Sequence, residues 1–364
     1  MIKNLADSSK RFKLERRTDV SIMQKIAALL IALVASIGIT ALIIAAAGAD
    51  PKEALTSLLM GAVSDRRAFM DSLIAATPLI LTGIAVVIAY RGGVFTIGAE
   101  GQFFAGAMTA YWAYLTFSGL PRLPLIIIIL VAAAIGGAIC GGIAALLKAY
   151  FEVDVIITTV MLNYIVLLLL SYLLSVGMPW KDPDSLAQGS RLVEEVARLP
   201  ILVEGSRLHL GFLIGILACI VVYIILKKSP LGFEIRAVGL NSIASHFRGI
   251  STVRVLMTTM LISGAMAGLA GAGELFGLQH RLKGSLSSGF GYTGILVAVL
   301  ANLDPIGVIP AAFLFGALSQ GAIRMQVKTG VATSLVFAIQ ALILLIYVAS
   351  QALVTYRVRI VEND

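Results

Sequence analysis

Charged residues are scarce in this chain of 364 residues: Asp, Glu, Lys and Arg make up 13% of it, whereas hydrophobic residues make up 59%. A water-soluble domain covers its surface with charged and polar side chains, and a composition this apolar supplies too few of them. The composition therefore excludes an ordinary soluble domain. It is typical of a protein whose helices are embedded in a membrane.

Cysteine and histidine are also rare, with two and three residues. Cys140 and Cys219 lie inside apolar stretches, as small packing residues do, and they offer neither a disulfide framework nor metal-ligand spacing. The histidines are not spaced as zinc ligands. The sequence also lacks the GxxxxGK[ST] loop that binds nucleotide phosphates, and any set of nucleophile, base and acid. It therefore predicts no catalytic residue, no metal site and no cofactor on this chain.

The net charge of +8 raises the question of nucleic-acid binding, but no recognition module of that kind is present. The basic residues lie between apolar stretches, and in membrane proteins such residues concentrate on the cytoplasmic side. With a cytoplasmic N-terminus, most of the 28 Lys and Arg residues fall in inner segments. We therefore expect no nucleic-acid partner and both termini in the cytoplasm.

Ten apolar stretches fill most of the chain, and about 20 helical residues suffice to cross a bilayer. The stretches are 26–49, 72–90, 101–119, 125–147, 155–177, 210–226, 255–277, 291–303, 306–323 and 331–356. The eighth is short and follows a polar, glycine-rich segment, which indicates a half-helix. The sequence thus predicts an all-α polytopic membrane protein with about ten transmembrane helices.

The predicted organisation is a basic cytoplasmic segment at 1–25, a transmembrane domain at 26–356 and a cytoplasmic tail at 357–364. Within the domain, 178–209 is the long extracellular loop and 227–254 is a long cytoplasmic loop.

Two pairs of glycines have the GxxxG spacing that lets membrane helices approach closely. One pair is Gly137 with Gly141, and the other is Gly264 with Gly268. Lipid supplies no hydrophobic force between helices, so close contact through small residues has to supply the packing energy. We expect both pairs at helix–helix contacts.

The segment 89–102 interrupts two apolar stretches with four glycines and brings Glu100 and Gln102 to membrane depth. Irregular backbone is tolerated there only inside protein or beside a water-filled cavity, and a buried carboxylate is costly. Glu100 therefore has two interpretations. It lines or gates a pathway, or it caps the next helix or pairs with Arg91.

Phe95, Asn163 and Tyr164 are the other candidates for a translocation pathway. Asn163 and Tyr164 lie in the uncharged fifth stretch and offer amide and phenol groups to a polar solute; hydrogen bonding between helices is the alternative. Glu274 is a second carboxylate at membrane depth, and we expect it to pair with Arg281 near the outer surface.

The cytoplasmic segment 232–250 predicts a short helix, because Asn241 or Ser242 can cap its start and Gly249 can end it. Apolar residues fall on one face of that helix, namely Ile243, Ala244 and Phe247. A helix this short is not stable alone in water, so we expect it to dock. The membrane surface is one candidate partner, and a groove on another protein is the other.

Several segments resemble the permease subunits of bacterial ABC importers, in the superfamily of the ribose, galactose and branched-chain amino acid permeases. The segment 232–250 is similar to their cytoplasmic coupling loop. Further segments resemble the nucleoside, or simple-sugar, branch that works with receptors of the basic membrane protein type: 94–102, 158–165, 291–295 and 302–307. The resemblance runs from about residue 71 to the C-terminus.

The resemblance implies a type II-like permease bundle in the bacterial plasma membrane, moved by a separate ATPase that holds ATP and Mg²⁺. It implies that the ATPase-coupling residues are Gly239, Asn241, Ile243, Ala244, Phe247 and Gly249. The further partners that it implies are an extracytoplasmic binding lipoprotein and a second homologous permease, forming a heterodimer. The expected cargo is a nucleoside, and a simple sugar such as ribose or galactose is the alternative.

A rival function from another class is a self-contained secondary transporter, in which Glu100 or Glu274 would be the proton-coupling carboxylate. A neighbouring gene with the GxxxxGK[ST] motif would favour the importer. A channel is the least favoured, since no charged ring or carbonyl-lined filter sequence is present.

Overall fold

The computed structural model describes residues 11–16, 22–46 and 48–361. Contacts divide the chain into two compact units. The larger is Leu58–Ile323, and the smaller combines Met1–Ser57 with Arg324–Asp364.

In the smaller unit, helix α1 (Ile22–Ala46) packs against the last helix, α13 (Ser334–Thr355). Strand β1 (Arg11–Arg16) pairs antiparallel with strand β2 (Tyr356–Val361). This ribbon departs from the all-α prediction, which followed apolar runs alone. Both strand segments alternate polar and apolar residues, which is the pattern typical of a strand.

Each of the ten predicted apolar stretches overlaps a helix, and three shorter helices, at 51–63, 230–240 and 242–247, lie outside those stretches. Besides α1 and α13, the described residues form eleven α-helices. They are α2 (Pro51–Val63), α3 (Arg66–Arg91), α4 (Ala99–Phe117), α5 (Arg122–Phe151), α6 (Val155–Leu173), α7 (Gly211–Lys228), α8 (Pro230–Leu240), α9 (Ser242–Phe247), α10 (Thr252–Glu274), α11 (Phe290–Leu300) and α12 (Val308–Thr329). A 3-10 turn at Glu195–Ala197 precedes α7, and a π-helical turn at Leu275–Gln279 extends α10.

Six helices within the described residues are long and apolar enough to cross a membrane, or up to seven if one bent pair counts as a single span. The six are α3, α5, α6, α7, α10 with its π-helical turn, and α12. Helix α4 is less apolar because Glu100 and Gln102 lie in its first turn, and α11 is the short helix that the sequence predicts. The total of ten transmembrane helices and the cytoplasmic termini stay predictions.

The core of the larger unit forms where α10 packs against α3, α4 and α5, with α7 and α11 on α3 and with α6 on α4. Glycines allow this close approach: a Cβ atom on Gly137 would overlap the carbonyl oxygen of Gly264, and one on Gly106 would overlap the backbone of Gly268. A Cβ on Gly141 would lie 2.5 Å from the carbonyl oxygen of Met260. The expectation that the two GxxxG pairs lie at helix–helix contacts is confirmed.

The long loop at 178–209 folds back onto the end of α10. Its backbone donates hydrogen bonds from Val193 N to His280 O at 2.8 Å and from Leu199 N to Phe276 O at 2.9 Å. The loop is therefore a fixed part of the larger unit, and its side chains can reach residues that are distant in sequence.

Candidate functional site

Helices α8 and α9 form the part of the larger unit that corresponds to the predicted coupling loop. Ser229 starts α8 by accepting a hydrogen bond from Gly232 N at 3.1 Å. Asn241 starts α9 by accepting one from Ala244 N at 2.9 Å. Gly249, with φ +83°, follows the end of α9 in the left-handed conformation that glycine adopts readily. The short helix predicted between Asn241 and Gly249 is confirmed.

The apolar residues of this region are exposed. Leu240, Ile243 and Phe247 have exposed fractions of 88%, 71% and 86%, and we call these three residues the α9 apolar surface. Ala244 is also exposed. Ser245 is the buried residue of α9, and its hydroxyl donates to the carbonyl oxygen of Asn241 at 2.9 Å. The helix therefore presents its apolar side chains outward.

Gly239, in the last turn of α8, is solvent-exposed but packs closely against the backbone of a neighbouring segment. A Cβ atom there would overlap the carbonyl oxygen of Arg91 and lie 3.0 Å from Gly93 N. The structure therefore gives Gly239 a packing role between α8 and the connection that follows α3. Its predicted part in contacting an ATPase stays a prediction, and the internal contact means that a larger residue there would also disturb the permease itself.

A groove of about 970 Å³ lies beside α9, between the connection after α3, the end of α5 and the starts of α6 and α10. Phe95 lines this groove; its side chain is 61% exposed, and its ring meets the ring of Tyr90 edge-on at 5.1 Å. Lys148, Glu152 and Asp154 supply the charged groups of the groove. Phe95 therefore lies next to the α9 region, whereas the other candidate pathway residues lie on α4 and α6.

Glu100 is buried at the start of α4, with 4% of its surface exposed. Its Oε2 atom accepts a hydrogen bond from Gly291 N at 2.7 Å, in the first turn of α11, and it also bonds the Ser287 side chain. A carboxylate at that end of a helix is stabilised by the unpaired N–H groups and the helix dipole. The proposed pairing with Arg91 is wrong, because Arg91 Nε donates instead to the carbonyl oxygen of Leu303 at 2.8 Å.

Asn163 holds the start of α4 against α6. Its Oδ1 atom accepts from Gly101 N at 2.8 Å, and its Nδ2 atom donates to the carbonyl oxygen of Ile97 at 3.0 Å. The side chain is 1% exposed. Asn163 thus makes the interhelical hydrogen bonds that the sequence left as one of two alternatives, and it fixes the backbone on both sides of the α4 start.

Gln102 is buried in the same region, with 1% of its surface exposed. Within the described part of the chain, neither its Oε1 nor its Nε2 atom has a hydrogen-bond partner. Cβ atoms added to Gly98 or Gly141 would each lie 3.2 Å from Nε2, so the amide is enclosed by backbone on two sides. A role of Gln102 in a pathway stays a prediction.

Tyr164 and Tyr292 lie near Asn163 but reach the surface, with exposed fractions of 60% and 45%. Tyr292, in the first turn of α11, hydrogen-bonds the Asn163 side chain and lies close enough to Tyr164 and Glu100 to interact electrostatically. The sequence identified Tyr164 as a candidate and missed Tyr292. Tyr292 belongs to the 291–295 segment of the family resemblance, but its place beside Asn163 depends on a contact between α11 and α6 that local sequence does not reveal.

Glu274 does not pair with Arg281 as predicted. Its Oε1 atom accepts a hydrogen bond from Gln279 Nε2 at 3.0 Å, across the π-helical turn. Arg281 forms an ion pair with Asp182 of the long loop at 3.3 Å. The prediction failed because the folded-back loop supplies a nearer carboxylate.

His209 is enclosed where the long loop meets α7 and the π-helical turn. Its Nδ1 atom accepts a hydrogen bond from Gly211 N at 3.1 Å, and a Cβ atom on Gly277 would overlap its ring. Burial, together with repulsion from the nearby His280, lowers the pKa of His209 to about 4. His209 is therefore neutral at neutral pH and acts as a packed hydrogen-bond acceptor. Within the described residues, no group of three or more His, Cys, Asp or Glu side chains is placed to hold a metal ion.

Relatives of the chain are named as permeases. The model of the family "Branched-chain amino acid transport system / permease component" matches residues 68–348. The guanosine ABC transporter permease protein NupP of Bacillus subtilis is 37% identical over 332 residues, covering 89% of this chain and 93% of that protein.

Two further relatives have similar coverage. The nucleoside ABC transporter permease protein NupB of Lactococcus lactis is 35% identical, over 88% of this chain and 90% of that protein. The glucose ABC transporter permease protein TsgB13 of Haloferax volcanii is 32% identical, over 90% of this chain and 88% of that protein. The chain therefore belongs to the branched-chain amino acid transport system permease family, as a multi-pass ABC transporter permease that translocates its substrate rather than catalysing a reaction.

Proposed function

We propose that the chain is the membrane-spanning subunit of an ATP-driven importer for nucleosides in a bacterial plasma membrane. Its partners are a separate ATPase that holds ATP and Mg²⁺, an extracytoplasmic binding lipoprotein and a second, homologous permease. The observation that carries the proposal is the α9 apolar surface. A six-residue helix with two large, exposed apolar side chains is poorly suited to water unless it docks.

The ATPase is the partner that fits this surface best. Helix α9 is capped at both ends by the chain itself, through Asn241 and Gly249, so it is preformed before anything binds. A preformed helix loses little conformational entropy on docking, and a large apolar anchor such as Phe247 suits a groove on a protein. The groove beside α9 offers Lys148, Glu152 and Asp154 for polar contacts around that anchor.

The nucleoside as cargo is supported by the relatives NupP and NupB, whose names give guanosine and nucleoside as their substrates. The relative named as a glucose permease has comparable identity and supports a simple sugar as the second candidate. The exposed tyrosines beside Asn163 favour the nucleoside, because an aromatic side chain can stack on a nucleobase.

The proposal of a second permease follows from the number of coupling helices and ATP sites in the complex. Each chain carries one α9, and a working cycle with two ATP sites needs two such helices. The family resemblance favours a heterodimer with a shorter homologue over a pair of identical chains.

The rival of a proton-coupled secondary transporter has less support from the geometry. Glu100 is tied to the first turn of α11 through Gly291 N, and Glu274 is tied to Gln279. Each carboxylate thus has a structural hydrogen bond that a proton-carrying cycle would have to break.

Uptake in the native host distinguishes these functions. A strain that lacks the gene for this chain should lose the accumulation of labelled guanosine, and the restored gene should return it. Excess unlabelled uridine should compete, whereas excess glucose or ribose should not. Uptake should continue with a protonophore when ATP is maintained and stop when ATP is depleted. Competition by sugar alone would assign the second candidate, and loss of uptake with the protonophore at constant ATP would assign the secondary transporter.

A further inference from the structure

Two tyrosines share one small surface of the larger unit. Tyr164 lies near the middle of α6, and Tyr292 lies in the first turn of α11. Their exposed fractions are 60% and 45%, and they lie close enough for their phenol groups to interact. We call Tyr164 and Tyr292 the tyrosine pair.

The tyrosine pair is out of place for a surface that faces lipid. The other large exposed side chains around it on α6 are apolar, among them Ile157, Met161 and Leu168, and they suit hydrocarbon. A hydroxyl group in the middle of a span is costly in hydrocarbon unless it has a hydrogen-bond partner. Tyr172 is also exposed, but it lies at the C-terminal end of α6, and aromatic residues near the end of a span are common at the membrane–water interface. The hydroxyl of Tyr292 has a hydrogen-bond partner in Asn163, whereas that of Tyr164 makes no hydrogen bond to another described residue. The position of Tyr164 therefore indicates a surface that faces a polar solute.

The local backbone holds Tyr292 in place. Ser287 Oγ accepts hydrogen bonds from Gly289 N at 3.0 Å and Phe290 N at 2.9 Å, which fixes the start of α11. Glu100 then binds Gly291 N, one residue before the tyrosine. Because Asn163 bonds the phenol of Tyr292 and is itself anchored to α4, the pair is presented in one arrangement.

We propose that the tyrosine pair contacts the nucleobase of the substrate as it crosses the membrane. This inference rests on the proposed function and deepens it by naming the part of the substrate that is bound and the residues that bind it. An aromatic side chain stacks on any base with about 1–3 kcal/mol, and a phenol can exchange hydrogen bonds with the base or the ribose.

The side chains of the tyrosine pair suit brief, weak contact with a passing substrate rather than tight binding. Glu100 is nearby but buried, so no full charge is offered to the solute. Stacking provides enough affinity to replace part of the hydration of the base, without the tight binding that would slow release. A hexose has no planar ring to stack, so the same surface should bind a hexose more weakly than a nucleoside.

The test measures guanosine uptake in the deletion strain carrying single variants. Tyr164→Leu and Tyr292→Leu remove the aromatic ring and should each lower the uptake rate about fivefold or more, as expected for the loss of one stacking contact. Tyr164→Phe and Tyr292→Phe keep the ring and should stay within about threefold of the unaltered chain. Tyr172→Leu is the matched control on α6 and should leave uptake unchanged.

Two measurements separate this inference from misfolding and from the proposed function. Each variant should be recovered from membranes in the same amount, with the same quantity of bound ATPase, as the unaltered chain. Normal guanosine uptake by both Leu variants, or an equal loss in the Phe and Leu variants, would overturn the inference while leaving the proposed function intact. If the unaltered importer carries glucose and not guanosine, both are overturned.

Discussion

Truncating Phe247 to alanine should weaken the binding of the ATPase about 30-fold. Phe247 lies at the end of α9 with 86% of its surface exposed, so docking can remove nearly the whole ring from water. A phenylalanine buries about 150–250 Å², which at about 25 cal/mol per Å² sets an upper bound of about 4–6 kcal/mol. Ordering of both partners offsets part of this, and a central aromatic anchor is commonly worth about 2 kcal/mol. That free energy corresponds to the 30-fold change.

The assay is an equilibrium titration of the purified ATPase subunit against the permease in lipid nanodiscs, for the unaltered chain and for Phe247→Ala. Because the ring makes little contact within its own chain, the thermal stability of the permease should not change. Leu186→Ala is the matched control, since Leu186 is equally apolar and fully exposed but lies in the long loop at 178–209.

A dissociation constant for the ATPase that shifts by less than about threefold in Phe247→Ala would refute the docking of α9. So would an equal loss in Leu186→Ala, because the effect would then reflect general exposure of apolar surface. Guanosine uptake in cells should fall together with ATPase binding if the two are coupled as proposed.

Three other predictions concern packing, pH and orientation. Gly264→Val should sharply lower the recovery of folded permease, because overpacking costs about 1–3 kcal/mol or more. Gly273→Ala is the control and should be recovered normally, since an added Cβ there meets no atom within 4 Å; equal recovery of the two variants would show that the close helix contact is not needed. Acidification from pH 6.5 to pH 4 should destabilise the permease by up to about 3 kcal/mol, because the unfolded chain binds a proton on His209 that the folded chain, in which this residue has a pKa of about 4, does not bind. In His209→Gln the unfolding temperature should depend less on pH over this range, and an unchanged pH dependence would contradict the buried neutral histidine. In a cysteine-free background, Leu186→Cys should react with an impermeant thiol reagent from outside intact cells and Ser242→Cys should not, whereas the reverse pattern would invert the predicted topology.

Most of the helical framework could be predicted from the sequence because apolar runs and helix caps are local signals. Asn241 and Gly249 bound a short helix by their own chemistry, and the structure has that helix. Helix α4 is less apolar than a typical span because it carries Glu100 and Gln102, and both are buried by protein, where polar residues are tolerated. The apolar pattern still identifies this helix, as the stretch 101–119, and places its start within two residues.

The partners of Glu100 and Arg281 could not be predicted, because they depend on contacts between distant segments. Glu100 meets Gly291, which lies 191 positions away in the chain. Arg281 meets Asp182, because the long loop folds back onto the end of α10. Charge pairing inferred from nearby residues therefore named the wrong partners for both Glu100 and Glu274.

The glycine contacts restrict how this chain can vary. At Gly106 with Gly268, and at Gly93 with Gly239, both residues of the contact are already the smallest amino acid. A substitution on one side cannot be offset by a smaller residue on the other, since none exists. A genetic suppressor of such a substitution would have to act by moving a whole helix, and suppressor screens at these positions should therefore return changes in neighbouring helices or none at all.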